Sequence, residues 1–174
     1  YALDRKEILQ AAYHGLAEVG DQRFPKGHVW YFDVAAPQHD PNKAKALLKE
    51  AGYKGETLEL MGNRGEVADV EGAVIQAQLR KIGVKVELKI LERASALEAR
   101  RQGKYMFKLA GGSDFPDPLP AYEEYACELD PRNRRLNESG YCDKEYDAIL
   151  RKAEGEVDPV KRRALFKQVV TKVV

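Results

Sequence analysis

The chain has 174 residues, of which 44% are hydrophobic and 33% charged. That is the composition of an ordinary globular domain, long enough to bury a core. Lys plus Arg (29) nearly balances Asp plus Glu (28), so no general attraction to nucleic acid or anionic membrane is expected, and no apolar run approaches the ~20 residues of a membrane helix.

Residues 1–5 read as the middle of an element, and residues 168–174 as the inside of a helix, so both ends are expected to be cuts. Residues 3–16 carry Leu3, Ile8, Leu9, Ala12 and Leu16 at helical spacing, and the helix is expected to fade near Gly15. Residues 20–38 hold Pro25, Gly27, Pro37 and the aromatics Phe24, Trp30, Tyr31 and Phe32. They predict an ordered loop pinned by aromatic packing, with Trp30 to Phe32 open to a second reading as a pocket wall. Asp40 and Pro41 then open a helix with the stripe Ala44, Leu47, Leu48 and Ala51, closed by Gly52.

Residues 57–61 alternate with period two and predict a strand. Residues 67–82 predict a helix with an apolar face of Val67, Val70, Val74, Ile75, Leu79 and Ile82. After Gly83, Val84, Val86, Leu88 and Ile90 alternate with charged residues as a half-buried strand. A short helix over 94–102 and a strand over 105–110 complete a strand–helix–strand–helix–strand order, which argues for an α/β sheet with right-handed crossovers. The last third reads as a turn-rich loop at 111–118, helix near 118–126, polar loop over 130–140 and helix over 143–153. Asp158 and Pro159 open a final helix.

The loop after the third strand is the most informative stretch. From residue 111 to 131 it carries Asp114, Asp117, Glu123, Glu124, Glu128 and Asp130 and no Lys or Arg. Open α/β sheets place ligand contacts at such strand ends, and a desolvated carboxylate there holds an ammonium group. The plainer reading is that Asp114 and Asp117 are turn formers beside glycine and proline. No metal centre is expected, because His14, His28 and His39 are scattered. Ser113 has no nucleophile elbow, and Gly111-Gly112 no lysine in phosphate-loop register. Asp114 and Asp117 as an acid–base pair would make a hydrolase, but nothing else in the chain favours one. Cys127 and Cys142, fifteen residues apart, fit either two buried thiols or a disulfide. A disulfide would contribute roughly 3 kcal/mol in the chain-entropy model and points outside the cytosol.

Several motifs in order resemble the family-5 extracellular solute-binding proteins, which include the dipeptide-, oligopeptide- and nickel-binding proteins of bacterial ABC importers. They are YALDRKEI at 1–8, HGLA at 14–17 followed by Pro25 and Trp30, KAKALLKEAGY at 43–53, IQAQLRKIGVKV at 75–86, and DFPDP at 114–118. Asp147 with Ile149 and Leu150, then Arg162 or Arg163, completes the series. The resemblance implies an α/β, periplasmic-binding-protein-like lobe (type II, clamshell) with a mixed sheet flanked by helices. Residues 1–174 would form a single C-terminal lobe that traps ligand against a second lobe.

The implied function is capture of di- or oligopeptides for the membrane permease, with no catalysis, cofactor or metal. Binding of a nickel chelate, glutathione or sugar is the alternative. The implied partners are a small solute and the permease subunits, not nucleic acid. The full-length protein is expected to be a periplasmic, extracellular or lipid-anchored monomer. In peptide-binding members the first Asp of the DxxDP loop pairs with the ligand's amino terminus. That makes Asp114 the anchor, with Gly111, Gly112, Ser113 and Phe115 around it. Where the family often has Trp three residues earlier, this chain has Gly111, so a wall of the pocket is missing. Some dipeptide-binding members carry a cysteine pair around the following loop, and Cys127 and Cys142 are expected to be bonded.

Overall fold

A computed structural model describes residues 1–65, 67–109, 111–112, 115–127, 137 and 139–174. They divide into two compact units: Tyr1–Val19 with Pro37–Gly111, and Gly20–Ala36 with Gly112–Val174.

The first unit is built around three parallel strands, β1 (Thr57–Asn63), β2 (Lys85–Leu91) and β3 (Phe107–Lys108), in the order β2-β1-β3. Thr57 pairs with Lys85 and Asn63 with Leu91 along one edge of β1, and Leu60 with Phe107 along the other. Helix α3 (Ala68–Lys81) links β1 to β2, and α4 (Arg93–Arg101) links β2 to β3. The parallel strands joined by helices are the arrangement that the strand–helix alternation predicts. A mixed sheet was expected, whereas the three described strands are mutually parallel. Of the strand expected over 105–110, Phe107 and Lys108 form the paired strand and the Leu109 amide donates to the Met61 carbonyl at 2.8 Å, while Ala110 lies outside the described residues.

Helix α1 (Arg5–Tyr13) starts at Asp4, whose carboxylate accepts from the Lys6 and Glu7 amides. It stops where His14 and Gly15 take positive φ of 53° and 77°. Helix α2 (Pro41–Glu50) starts at the expected Asp40–Pro41 signal, with the Lys43 amide donating to Asp40 at 2.9 Å. Ala44, Ile82 and Val84 are buried together, with Leu48, Leu58, Leu79 and Val86 packed around them.

The face of α3 differs from its apolar pattern. Val67 and Val70 are exposed, while Ala68, Gly72 and Gln78 are buried. Close approach decides this. A Cβ on Gly72 would stand 3.2 Å from Leu88, and one on Gly62 of β1 would stand 2.9 Å from the Ala68 Cβ, so the helix seats its small residues on the sheet. Gln78 points inward because it is fully bonded. Its oxygen accepts from the Asp4 amide at 2.9 Å, and its amide donates to Glu7 at 2.8 Å and the Asp4 carbonyl at 3.2 Å.

The second unit packs α5 (Leu119–Glu123), α6 (Lys144–Gly155) and α7 (Pro159–Val173) with the 20–36 loop. Asp143 and Asp158 cap α6 and α7. Phe24, Phe32, Tyr122, Tyr146, Leu150 and Phe166 belong to its core. The loop is ordered without regular structure. The Phe32 amide donates to the Gln22 side-chain oxygen and the Gln22 side-chain amide donates to the Phe32 carbonyl, and His28 stacks on Phe24 at 4.7 Å. Among the described residues no helix is long and apolar enough to cross a membrane.

Candidate functional site

Of the five residues expected to bind ligand, Ser113 and Asp114 lie outside the described residues. Gly111 and Gly112 are exposed, and the unit boundary falls between them. They differ in what surrounds them. A Cβ at Gly111 would meet nothing within 4 Å, and its φ is not positive, so no local constraint demands glycine there. A Cβ at Gly112 would stand 2.5 Å from Nη1 and 2.9 Å from Cζ of Arg23. Glycine at 112 is therefore what lets a guanidinium lie against the backbone. The same guanidinium sits 5.8 Å from the centre of the Phe115 ring, and Phe115 packs on the core.

Gly112 and Phe115 are thus brought together by Arg23, which sequence reasoning did not single out. A lone cation before Phe24 and Pro25 in an aromatic loop carries no periodic signal, and only the path of that loop places it here. Arg23 also faces Glu124 at 3.8 Å. The acidic stretch is therefore not one cluster. Glu124 is matched by Arg23, and Asp117 is matched elsewhere; Glu128 and Asp130 lie outside the described residues. Partial burial, with Glu154 nearby, raises the pKa of Glu123.

Asp117 is held by Arg162 of α7 through two hydrogen bonds, Nη1 to Oδ2 at 2.6 Å and Nη2 to Oδ1 at 3.0 Å. It also accepts from the Leu119 amide at 2.9 Å. The Arg162 hydrogen bond, opposed by partial burial, holds the Asp117 carboxyl below its ordinary 3.8. Arg162 itself is fixed on three further sides. Its guanidinium carbon lies 5.6 Å from the Trp30 ring centre and 5.1 Å from that of Phe166, and its Nε donates to the Ala153 carbonyl at 3.1 Å. Trp30 donates to the Pro116 carbonyl at 3.2 Å and packs edge-on against Phe166 at 5.4 Å. Trp30 and the buried Phe32 are therefore packing residues. Arg163 donates to the Tyr31 carbonyl at 3.0 Å and covers Phe32 at 4.6 Å. The second Asp of the DxxDP motif and the arginine of the closing motif are one clamp, fastening the loop after residue 114 to the last helix.

Behind the loop, Cys127 and Cys142 are disulfide-bonded, as expected. The Cys127 amide donates to Asp147 at 2.9 Å, and the Asn137 side chain donates to the carbonyls of Ala126 and Tyr141, both at 2.6 Å. The Tyr122 hydroxyl is buried and has no hydrogen-bond partner among the described residues. Burial raises its pKa to about 12, with Tyr125 adding to the rise and the Arg23 charge opposing it.

Comparison with known proteins places the chain in a family. Residues 1–130 match the model described as bacterial extracellular solute-binding proteins, family 5 Middle. The chain is 30% identical over 138 residues to di/tripeptide-binding protein 4 of Pseudomonas aeruginosa (strain UCBPP-PA14), covering 75% of this chain and 25% of that one. It is 29% identical to the dipeptide-binding protein of Escherichia coli (strain K12), covering 97% and 33%. A solved periplasmic binding protein, AgaA of A. tumefacien R10 in complex with agropinic acid, superposes with a TM-score of 0.87 at 29% identity, covering 99% and 36%. The chain belongs to the family-5 bacterial extracellular solute-binding proteins. It spans about a quarter to a third of the length of the curated relatives it matches.

Proposed function

We propose that residues 1–174 belong to the C-terminal lobe of the solute-binding component of an ABC importer, which captures di- or oligopeptides between two lobes. The observation that carries this is the family match over residues 1–130, together with relatives named as dipeptide- and di/tripeptide-binding proteins at 29–30% identity. Asp114 anchors the peptide's amino terminus, and Gly111, Gly112, Ser113 and Phe115 line its surroundings. The protein performs no chemistry. It works by closure of one lobe on the other, delivers its ligand to the permease subunits, and resides in the periplasm or outside the cell, with or without a lipid anchor.

The described residues support the positioning part of this reading. The Asp117–Arg162 clamp stiffens the loop next to Asp114, as a preorganised site requires. A solute other than a peptide is the second reading, favoured by the likeness to a protein solved with agropinic acid and by the open space at Gly111. Native mass spectrometry of the full-length protein, purified without ligand exchange, separates the two. Retained masses matching short peptides are expected; a sugar or a metal chelate as the retained ligand would overturn the peptide reading.

A further inference from the structure

We infer that the outer face of α4, with the turn that follows it, is a docking surface for an anionic lipid bilayer. The inference rests on the reading above only in placing the protein outside the cytosol, beside the membrane that holds the permease. Three observations in the first unit carry it.

The first is charge. The whole chain carries +1, which gives it no general pull toward an anionic surface. Residues 93–108 depart from that balance, with Arg93, Arg100, Arg101, Lys104 and Lys108 against Glu98 alone. A near-neutral molecule with one basic face is drawn to an anionic surface in one orientation.

The second is placement. Ala96, 1% exposed, is the one buried residue of α4. Arg93, Leu97 and Arg101 recur at four-residue spacing on the helix, so they share a face, and all three are exposed. Gly103 turns the chain at φ 64°, and the Lys104 amide donates to the Ala99 carbonyl at 2.8 Å, which holds the exposed Lys104 at the end of the same helix. Leu97 is 40% exposed among these cations, and Phe107, which follows on β3, is 53% exposed. Cations interleaved with exposed apolar side chains suit a headgroup layer, where phosphates meet the first acyl carbons.

The third is that the fold does not use these charges. The neighbouring acids are engaged elsewhere: Glu92 pairs with Arg64 at 2.7 Å, and Glu98 accepts from the Gln102 side chain. Among the described residues Arg93, Arg101 and Lys104 have no ion pair. The helix dipole favours Arg100 and Arg101 in the last turn of α4, but it opposes Arg93 in the first. A site for a single carboxylate would bury its arginines and fix them by hydrogen bonds. Exposed cations held by no acid fit a dense layer of phosphates instead.

The test is flotation of the full-length protein, free of any lipid anchor, with vesicles of phosphatidylcholine alone and of phosphatidylcholine with about a third phosphatidylglycerol. Flotation with the anionic vesicles is expected at about 0.05 M salt and its loss at about 0.5 M. Each cation near such a surface is worth roughly fivefold in partitioning, the equivalent of about 1 kcal/mol. The triple variant Arg93→Gln/Arg101→Gln/Lys104→Gln should therefore lose on the order of 100-fold. Lys45→Gln/Lys49→Gln/Lys152→Gln removes the same charge from exposed positions on other helices and should leave binding nearly unchanged. Arg93→Lys/Arg101→Lys should bind as the unmodified protein does, which separates loss of charge from loss of fold.

Equal loss in the two triple variants, equal binding to neutral and anionic vesicles, or no binding to either would overturn the inference. Binding only to vesicles that carry the permease, lost in the first triple variant, would assign the face to an acidic protein surface and overturn the bilayer as its partner. Retained peptides without vesicle binding would sink this inference alone. Vesicle binding by a protein that retains no peptide would sink the peptide reading alone.

Discussion

Asp117 and Arg162 offer the sharpest test of how the loop is held. Removing one partner of a fully buried pair costs about 3–5 kcal/mol, whereas exposed pairs are worth about 0.2–1 kcal/mol. Here the Arg162 side chain is 19% exposed and that of Asp117 47%. Solvent screening at Asp117 moves the value toward the lower limit, and we expect about 1–2 kcal/mol for the bidentate pair. Asp117→Ala also strips the acceptor from the Leu119 amide, worth about 1 kcal/mol by analogy with helix caps. Its total cost should be about 2–3 kcal/mol. Asp117→Asn keeps an acceptor and loses the charge, and should cost about half as much.

Chemical denaturation of the single and double Ala variants closes a double-mutant cycle, with an expected coupling of about 1 kcal/mol. Asp117→Ala should lower stability more than ligand affinity, because that carboxylate holds the clamp and acts on the site only by stiffening its loop. The pH dependence has a definite sign. Arg162 lowers the pKa of Asp117, so the pair's contribution is fully present above 3.8 and is lost as pH falls below it. Asp117→Asn should flatten that acid limb. A coupling under about 0.3 kcal/mol, or a large affinity loss with unchanged stability, would refute the clamp.

Three further outcomes are expected. Reducing Cys127–Cys142 should lower stability by roughly 3 kcal/mol, and non-reducing peptide mapping should recover the pair as one linked fragment. Asp114→Ala should weaken binding of amine-bearing peptides by roughly 3–5 kcal/mol in titrations of the full-length protein, with the melting temperature unchanged, if closure desolvates the pair. Gln78→Ala strands the Asp4 amide that its side chain now satisfies, and thermal melts should show a loss of about 1–3 kcal/mol with hydrogen-exchange protection falling first in α1.

Much of the architecture was legible residue by residue. Asp40, Asp143 and Asp158 mark helix starts because a carboxylate one residue before a helix satisfies amides two and three residues on, an interaction complete within a single turn. The alternation from Val84 to Ile90 marks β2 for the same reason, since period two is a property of one strand. The Cys127–Cys142 bond and the order of family motifs were likewise readable along the chain. The inward face of α3 was not. Val67 and Val70 belong to its apolar stripe, yet Gly72 and Gln78 are buried, because close packing on Leu88 and the polar docking of Asp4 and Glu7 choose which face turns in. Nor was the clamp legible. Asp117 and Arg162 stand 45 residues apart, and each by itself reads as a turn former or a surface charge. Arg23 meets Gly112 only because Phe24 and Phe32 bury the 20–36 loop in the second unit's core. Interactions that close within a turn of helix or along one strand leave a periodic trace in the sequence. Pairings made by the path of a loop leave none, because they depend on where the apolar anchors of distant segments come to rest.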